Sequence, residues 1–418
     1  MVTNSPRTRR PWLVPVLAAA AVVLVLAVGL VELPDGDRQP AGGDSASLPD
    51  AFPAFSFVQG KTDGRFGRAI AFYDNGSGHE DFRFGQLILA SADGDRYRQI
   101  AVPEIVDGLS PGRRLSPSGT KLAIGGNSLS VLDLMTGTRK QYLADTGRFF
   151  APMAISPDER FLAYTMGPSW GDTGTLSILE LATGKTTGFG NDGVLEAAFS
   201  PDSTEIAFQT GYPLAAELVI GRLDGTVARR INPGPRSTLG GANAWSPDGK
   251  WLAVVSRAPD REVGDTTYSG DPSYVLLNAA GTAEQAPAPI PATGIVPNAW
   301  GDAVLGWRSP TSMLVSGCDV DGTTSNLIVE VNISTGSHEL VSRFRVGQRD
   351  DLAVGDVQLA SGLLDGISIR HSGDPDRGVW PTWAIVSTVV CLTPLALLAA
   401  SWFYRRRRRL LTSGPKAS

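Results

Sequence analysis

One short pattern recurs along the chain. NAWSPDGKWLAVVS (243–256) has near-copies in RRLSPSGTKLAI (113–124), MAISPDERFLAY (153–164) and AAFSPDSTEIAF (197–208). In each copy an apolar residue, Leu115, Ile155, Phe199 or Trp245, precedes Ser-Pro. Proline presets φ for the second place of a β-turn, and Asp, Ser or Gly suits the places that follow. A strand comes next, marked by Leu122-Ala123, Leu162-Ala163, Ile206-Ala207 and Leu252-Ala253. Trp307, in LGWRSPTSMLVS (305–316), heads a fifth and weaker copy, and the five apolar residues stand 40, 44, 46 and 62 positions apart.

Each copy is followed by a strand, a glycine turn and another strand. This second half occurs six times, with turn glycines Gly94, Gly137, Gly184, Gly225, Gly281 and Gly336. Alternating apolar and polar positions rich in β-branched residues mark half-buried strands. A unit of four short strands cannot bury both faces alone, so successive units must cover one another, as the blades of a β-propeller do. The expected fold is all-β: a six-bladed β-propeller flanked by two transmembrane α-helices. The earliest unit has a degenerate first half, FSFVQGKTDGRFGRAIAFYDNG (55–76), and DVQLASGLLDGISIRH (356–371) either seals the ring or belongs to a seventh blade. Sealing is the favoured reading.

The half-repeat SPDGKWLAV followed by SYVLLNAAG resembles the bacterial WD40-like repeat of TolB-type propellers over roughly 52–345. That resemblance implies the propeller fold. The chain departs from TolB in lacking a legible α/β domain before the repeats and in carrying an apolar run at each end. TolB's role in envelope-spanning assemblies is therefore not carried over.

The apolar runs set the expected topology. Residues 12–33 carry no charge before Glu32, and the run WAIVSTVVCLTPLALLAASWFY (383–404) carries none, each near the roughly 20 residues needed to cross a bilayer. Arg7, Arg9 and Arg10 precede the first, and five arginines at 405–409 follow the second. Positive flanks stay in the cytoplasm. The expected order is a cytoplasmic tail (1–11), a first span (12–33), a linker (34–51), an extracytoplasmic propeller with its closing segment (52–378), a second span (379–404) and a basic cytoplasmic tail (405–418) of a two-pass cell-membrane protein. A cleaved signal peptide is the alternative for the first span, since TRRPWLV (8–14) resembles a twin-arginine export signal.

All 42 acidic residues fall between Glu32 and Asp376, while nine of the 37 basic ones lie in the tails, so the exported part carries a charge of −14. Such a surface argues against nucleic acid and anionic lipid as partners, with solubility alone as the plain explanation of the charge. Two cysteines, Cys318 in the exported part and Cys391 in the second span, supply no disulfide framework and no zinc cluster.

Local motifs give little chemistry. GPSWG (167–171) fits the G-x-S-x-G nucleophile elbow, but that motif needs a helix after the serine, and a strand pattern, DTGTLSILEL (172–181), follows Ser169. DVDGTTSNLIVE (319–330) has acids at three calcium-loop places, with its glycine fourth instead of sixth and a strand after it. It reads as a solvated turn, with a loop cation site at Asp319 and Asp321 the sharper alternative. NGS (75–77) and NIS (332–334) read as chance glycosylation sequons.

The loops between second and third strands, on the face opposite the Ser-Pro turns, are long: 74–85, 167–174, 257–273 and 317–325, joined by the connection 286–304. Long loops without structure of their own are more often functional. This face is the candidate partner surface, with Asp81, Trp170, Asp172, Asp260, Asp265, Tyr268, Asp271, Asp319 and Asp321 as its site residues and Asp74, Glu80 and Glu262 among its other acids. Tolerated surface insertions are the plain alternative. The expected function is a non-enzymatic, membrane-anchored binding or scaffold module of the bacterial envelope, needing no cofactor and partnered by an envelope or membrane protein. The alternative is a propeller enzyme of metal-dependent lactonase or lyase type that uses the central channel.

Overall fold

The computed structural model describes residues 45–412 except 57–58, 63, 78–85, 101–111, 146, 169–173, 191–192, 212–215, 260, 264–265, 269–270, 282–285, 293–294, 298–302, 320–326 and 346–352. The contacts divide it into two units: a propeller that takes in Lys61–Asp376, and a second unit that takes in Gly60 and the residues from Arg377 onward.

Four blades run in chain order, each an antiparallel sheet of four strands. Blade two is Arg113–Leu115, Lys121–Ile124, Ser128–Asp133 and Arg139–Ala144. Blade three is Phe149–Ile155, Phe161–Gly167, Thr175–Glu180 and Thr186–Gly188. Blade four is Val194–Phe199, Glu205–Thr210, Glu217–Arg222 and Val227–Ile231, and blade five is Ser237–Leu239, Trp251–Arg257, Pro272–Asn278 and Ile290–Pro291. Blade six holds Val304–Ser309, Ser312–Asp319, Leu327–Asn332 and His338–Phe344. Blade one is composite: its first strand, Ala353–Leu359, comes from the end of the repeat region and pairs with Ala69–Ser77, which leads to Gln86–Ser91 and Tyr97–Ile100.

The ring is therefore six-bladed, and 353–359 seals it as a strand of blade one. This also corrects the reading of 55–76 as a degenerate first half. Lys61–Thr62 pairs parallel to the outer strand of blade one, and the missing inner strand is supplied from 292 residues downstream of it. The reading of 34–51 as linker is corrected too: Ser47–Pro49 pairs with Ser368–Arg370, and Ala51–Phe52 pairs with the outer strand of blade six.

Six hydrophobic clusters occupy the six seams between neighbouring blades. Ala123, Ala163, Ala207 and Ala253, the small residues of the repeat, are completely buried there, where a larger side chain would hold the sheets apart. The Ser-Pro-Asp turns have a common design. The hydroxyls of Ser156, Ser200 and Ser246 donate to Asp158, Asp202 and Asp248 at 2.6 Å. Each hydroxyl also accepts the backbone N–H five residues on, at 2.9 Å. The position after the Asp is left-handed in every one: Gly249 (φ 70°), Glu159 (φ 55°) and Ser203 (φ 59°). In blade two the same place is Gly119 (φ 71°), where a Cβ would also collide with the carbonyl of Ala69.

Among the described residues of the second unit lies the helix Thr382–Thr412, with Pro394 inside it. Two flanking transmembrane helices are not borne out: among the described residues no helix is long and apolar enough to cross a membrane. The first expected span, 12–33, lies outside the described residues, as do the side chains of Trp383, Ile385, Val389, Cys391 and Leu395 within the helix.

Candidate functional site

Because each first strand ends at its Ser-Pro turn, the repeat brings one proline per blade to a single mouth of the axis. Pro117, Pro157, Pro201 and Pro247 line a cavity of about 240 Å³ there. Trp307 completes the ring from blade six, and Ser361 with Gly362, in the short 3-10 turn Ser361–Leu363 after the sealing strand, completes it from blade one. Ile155, Phe199 and Trp245 form the walls below.

Every seam around this mouth is hydrogen-bonded. Blade one meets blade two through Gly362 N–H to Pro117 O at 2.9 Å and Ala69 N–H to Gly119 O at 2.8 Å. Glu159 of blade three reaches back to blade two, accepting from the Ser118 N–H at 3.0 Å and from the Ser118 hydroxyl and Lys121 ammonium. Burial works to raise the Glu159 carboxyl, but these bonds outweigh it and hold the group below its ordinary range. Ser203 of blade four accepts from the Asp158 N–H at 3.2 Å. The Trp245 indole donates to Ala198 O, and the Trp307 indole to Asn243 O, both at 3.0 Å, while Asn243 Nδ2 donates to Leu305 O at 3.0 Å. Arg308 of blade six donates to Ile367 O at 2.9 Å. Both indole N–H groups are thus satisfied inside the protein, and the lining mixes proline, tryptophan and aliphatic side chains with polar groups, Asn243 and Ser361 among them. Wider clefts of about 600 and 700 Å³ lie on the outer strands of blades four and five, away from the axis.

Deeper along the axis the lining becomes charged. Arg114 of blade two and Glu196 of blade four lie 4.0 Å apart, although blade three separates their sheets in chain order. Arg113, 1% exposed, sits where the sealing strand meets blade two. Asp356 and Asp74 act on it from blade one, and burial draws its guanidinium below the ordinary value. Burial lifts the Asp74 carboxyl to about 6; Arg113 opposes that rise and Asp356 adds to it.

The loop-face residues fare differently. Asp81, Trp170, Asp172, Asp260, Asp265 and Asp321 lie outside the described residues. Tyr268 ends the strand Thr266–Tyr268, which pairs with Arg261–Val263 as a hairpin inside the 257–273 loop, and Asp319 ends the second strand of blade six. Asp271 is exposed next to the third strand of blade five. The connection 286–304 is not a plain loop, since Ile290–Pro291 is the outer strand of blade five and Ile295–Pro297 pairs with Asp319–Gly317. Asp74 is corrected from loop acid to half-buried strand residue. Ser169 lies outside the described residues, and Thr175–Glu180 after it is a strand, as expected. Asn75 is 5% exposed, and the amide oxygen of Asn332 is taken by the N–H groups of Ser334 and Thr335, which fits chance for both sequons. Among the described residues no group of three or more His, Cys, Asp or Glu is placed to hold a metal ion.

The axial cavity was missed in the sequence, although its signal was there: the recurring Ser-Pro itself. One proline at the same place in successive blades must form a ring once the blades close. The charged cluster has no such signal, because Asp74, Arg113 and Asp356 are brought together only by the sealing strand.

No protein-family model matches the chain, and no curated protein matches it in sequence. Among solved structures it is similar to TolB from Acinetobacter baumannii, with 16% identity and a TM-score of 0.48 over 70% of this chain and 67% of that one. It is similar to a putative TolB from Agrobacterium tumefaciens, at 14% identity and a TM-score of 0.41 over 70% of this chain and 99% of that one. It is also similar to oligogalacturonate lyase from Vibrio parahaemolyticus, at 14% identity and a TM-score of 0.45 over 74% and 84% of the two chains. TolB-type propellers are thus among its structural neighbours, beside an enzyme; fold alone does not choose a function.

Proposed function

We propose that this protein is a non-enzymatic, membrane-anchored propeller that captures an envelope or membrane protein by taking an apolar side chain of that partner into the axial cavity. The observation that carries this is the cavity's construction: proline and tryptophan walls held by bonds across every seam. A preformed socket loses little conformational freedom on binding, which favours affinity. Interfaces anchor on single buried side chains in such sockets. The exported part's charge of −14 favours basic residues around the anchor.

Support for the anchoring comes from the sequence runs and from the helix. Val386, Val390, Leu392, Leu398, Trp402 and Phe403 are all exposed, and at 3.6 residues per turn they point to every side. Exposed apolar side chains on several sides favour an apolar surrounding for this stretch of the helix.

A photoreactive residue at Ser361, on the rim, tests the reading in the native cell. One defined partner should crosslink there and not from Met135, an exposed control in the glycine turn of blade two, and filling the socket with Ala242→Trp should abolish the product. Equal crosslinking from both positions, or a product that survives Ala242→Trp, would exclude the socket. The half-buried, raised Asp74 near the axis favours a second reading, an enzyme of the central channel, because perturbed acids cluster at active sites. A stoichiometric cation retained by the purified full chain would support that reading.

A further inference from the structure

The side chain of Gln358 bonds the sealing strand to blade two. Gln358 accepts from the Leu115 N–H at 2.8 Å and donates from Nε2 to Arg113 O at 2.9 Å and to Asp356 Oδ1 at 2.8 Å. Immediately beside this clip the strand is irregular. The register between Ala353–Leu359 and Ala69–Ser77 shifts between Gly355 and Gln358, and Asp356 adopts a left-handed conformation at φ 46°. Such a conformation in a residue other than glycine is strained and persists only where its surroundings enforce it. Asp74 lies directly opposite Gly355 in the pairing. Its Oδ1 is buried with no hydrogen-bond partner among the described residues.

We propose that Asp74 is a proton-operated latch on the ring: with its carboxyl neutral the sealing strand is held tightly to blade two, and loss of the proton loosens that seam. The charges require this direction. Among the described residues the groups acting on Asp74 are Arg113 and Asp356; across the third strand it faces Leu87. A neutral Asp74 leaves the buried Arg113 and the half-buried Asp356 as one balanced pair. An ionised Asp74 sets two half-buried carboxylates against one buried guanidinium, and the repulsion falls on Asp356, at the bulge that adjoins the Gln358 clip. Excess buried charge of one sign is poorly tolerated.

The carboxyl is raised to about 6 from 3.8. A raised acid favours the closed seam while protonated and loses that contribution as pH rises through the folded value. If the open seam restores an ordinary carboxyl, linkage predicts about a tenfold increase in opening between about pH 5 and about pH 7.5. Hydrogen exchange on the full chain tests this, read as protection factors so that intrinsic exchange cancels. Protection of the Leu115 amide, relative to the Ala207 amide in blade four, is expected to fall about tenfold over that range. Asp74→Asn, a neutral isostere, should hold the acid-side protection at both ends. Asp356→Asn should move the midpoint to lower pH. A wild-type ratio that does not change with pH overturns the latch without any variant, and so does an Asp74→Asn protein that keeps the wild-type slope.

Discussion

Phe52 stacks on Phe344 with ring centroids 4.5 Å apart and planes 9° from parallel. Tyr73 meets both edge-on, at 5.6 and 5.0 Å. The three rings come from the N-terminal strap, blade six and blade one, so the strap fills the seam where the two ends of the propeller meet. Phe52 is completely buried. Phe52→Ala removes the ring that the other two pack against, and such a truncation costs about 3–5 kcal/mol. Urea denaturation of the full chain should show a loss of that order. Removal of residues 1–52 should be at least as damaging, because it also strips the Ala51–Phe52 pairing from blade six.

The left-handed place after the Ser-Pro-Asp turn allows two effects to be separated at Glu159. Glu159→Ala loses the contacts to Ser118 and Lys121 and keeps the conformational cost of a Cβ at φ 55°. Glu159→Gly loses the same contacts and relieves that cost, which is about 1 kcal/mol. Both should lower the thermal midpoint, with the glycine variant the more stable of the two. The opposite order would show that the backbone there is not held as described.

The strap also carries an acid-sensitive tie. Asp50 accepts from the Ser372 N–H at 2.9 Å and lies 2.8 Å from His371 Nδ1. The backbone bond from Ser372, more than His371, holds its carboxyl down at about 2. An acid depressed in the folded state contributes stability above its unfolded value near 3.8, and that contribution is lost as pH falls towards 2. Asp50 is partly exposed, so solvent screens the effect to a fraction of a kcal/mol. Melting temperatures measured from pH 7 to pH 2 should therefore fall less steeply below pH 4 in Asp50→Asn than in the wild type. His371→Ala should keep most of the wild-type slope.

What the sequence discloses follows from how each feature is encoded. Blades two to six are legible because turn chemistry and alternating burial are local, and each repeat states them again. The composite first blade is not legible, since Ala353–Leu359 carries no Ser-Pro turn and pairs with a strand far away in the chain. The socket is half-legible: the prolines are plain in the text, but their meeting is a property of the closed ring. The cluster of Asp74, Arg113 and Asp356 depends on a bulge, and no residue type in the sealing strand announces one. The loop face, prominent in the sequence for its length and acids, gains a hairpin at Arg261–Tyr268 and a strand at Ile295–Pro297, because even insertions find backbone partners where they can.

Two buried glutamines allow closure to be compared with ordinary blade stacking. Gln209 accepts from the Leu239 N–H at 2.7 Å, joining blade four to the next blade in the chain. Gln358 makes the corresponding bond to Leu115 at 2.8 Å, joining residues that are 243 apart in sequence. Replacing either with leucine leaves a buried N–H without an acceptor, at a cost of about 1–3 kcal/mol. The kinetic consequences should differ. Contacts between successive blades close short loops and are available early, whereas the sealing strand must wait until the whole ring has been built. An interaction absent from the transition state affects unfolding alone. Gln358→Leu is accordingly expected to speed unfolding about tenfold, as 1.4 kcal/mol requires, with the refolding rate nearly unchanged. Gln209→Leu should slow refolding as well. Stopped-flow denaturant jumps on both variants measure the two rates, and a slowed refolding in Gln358→Leu would mean that the ring closes before its blades are complete.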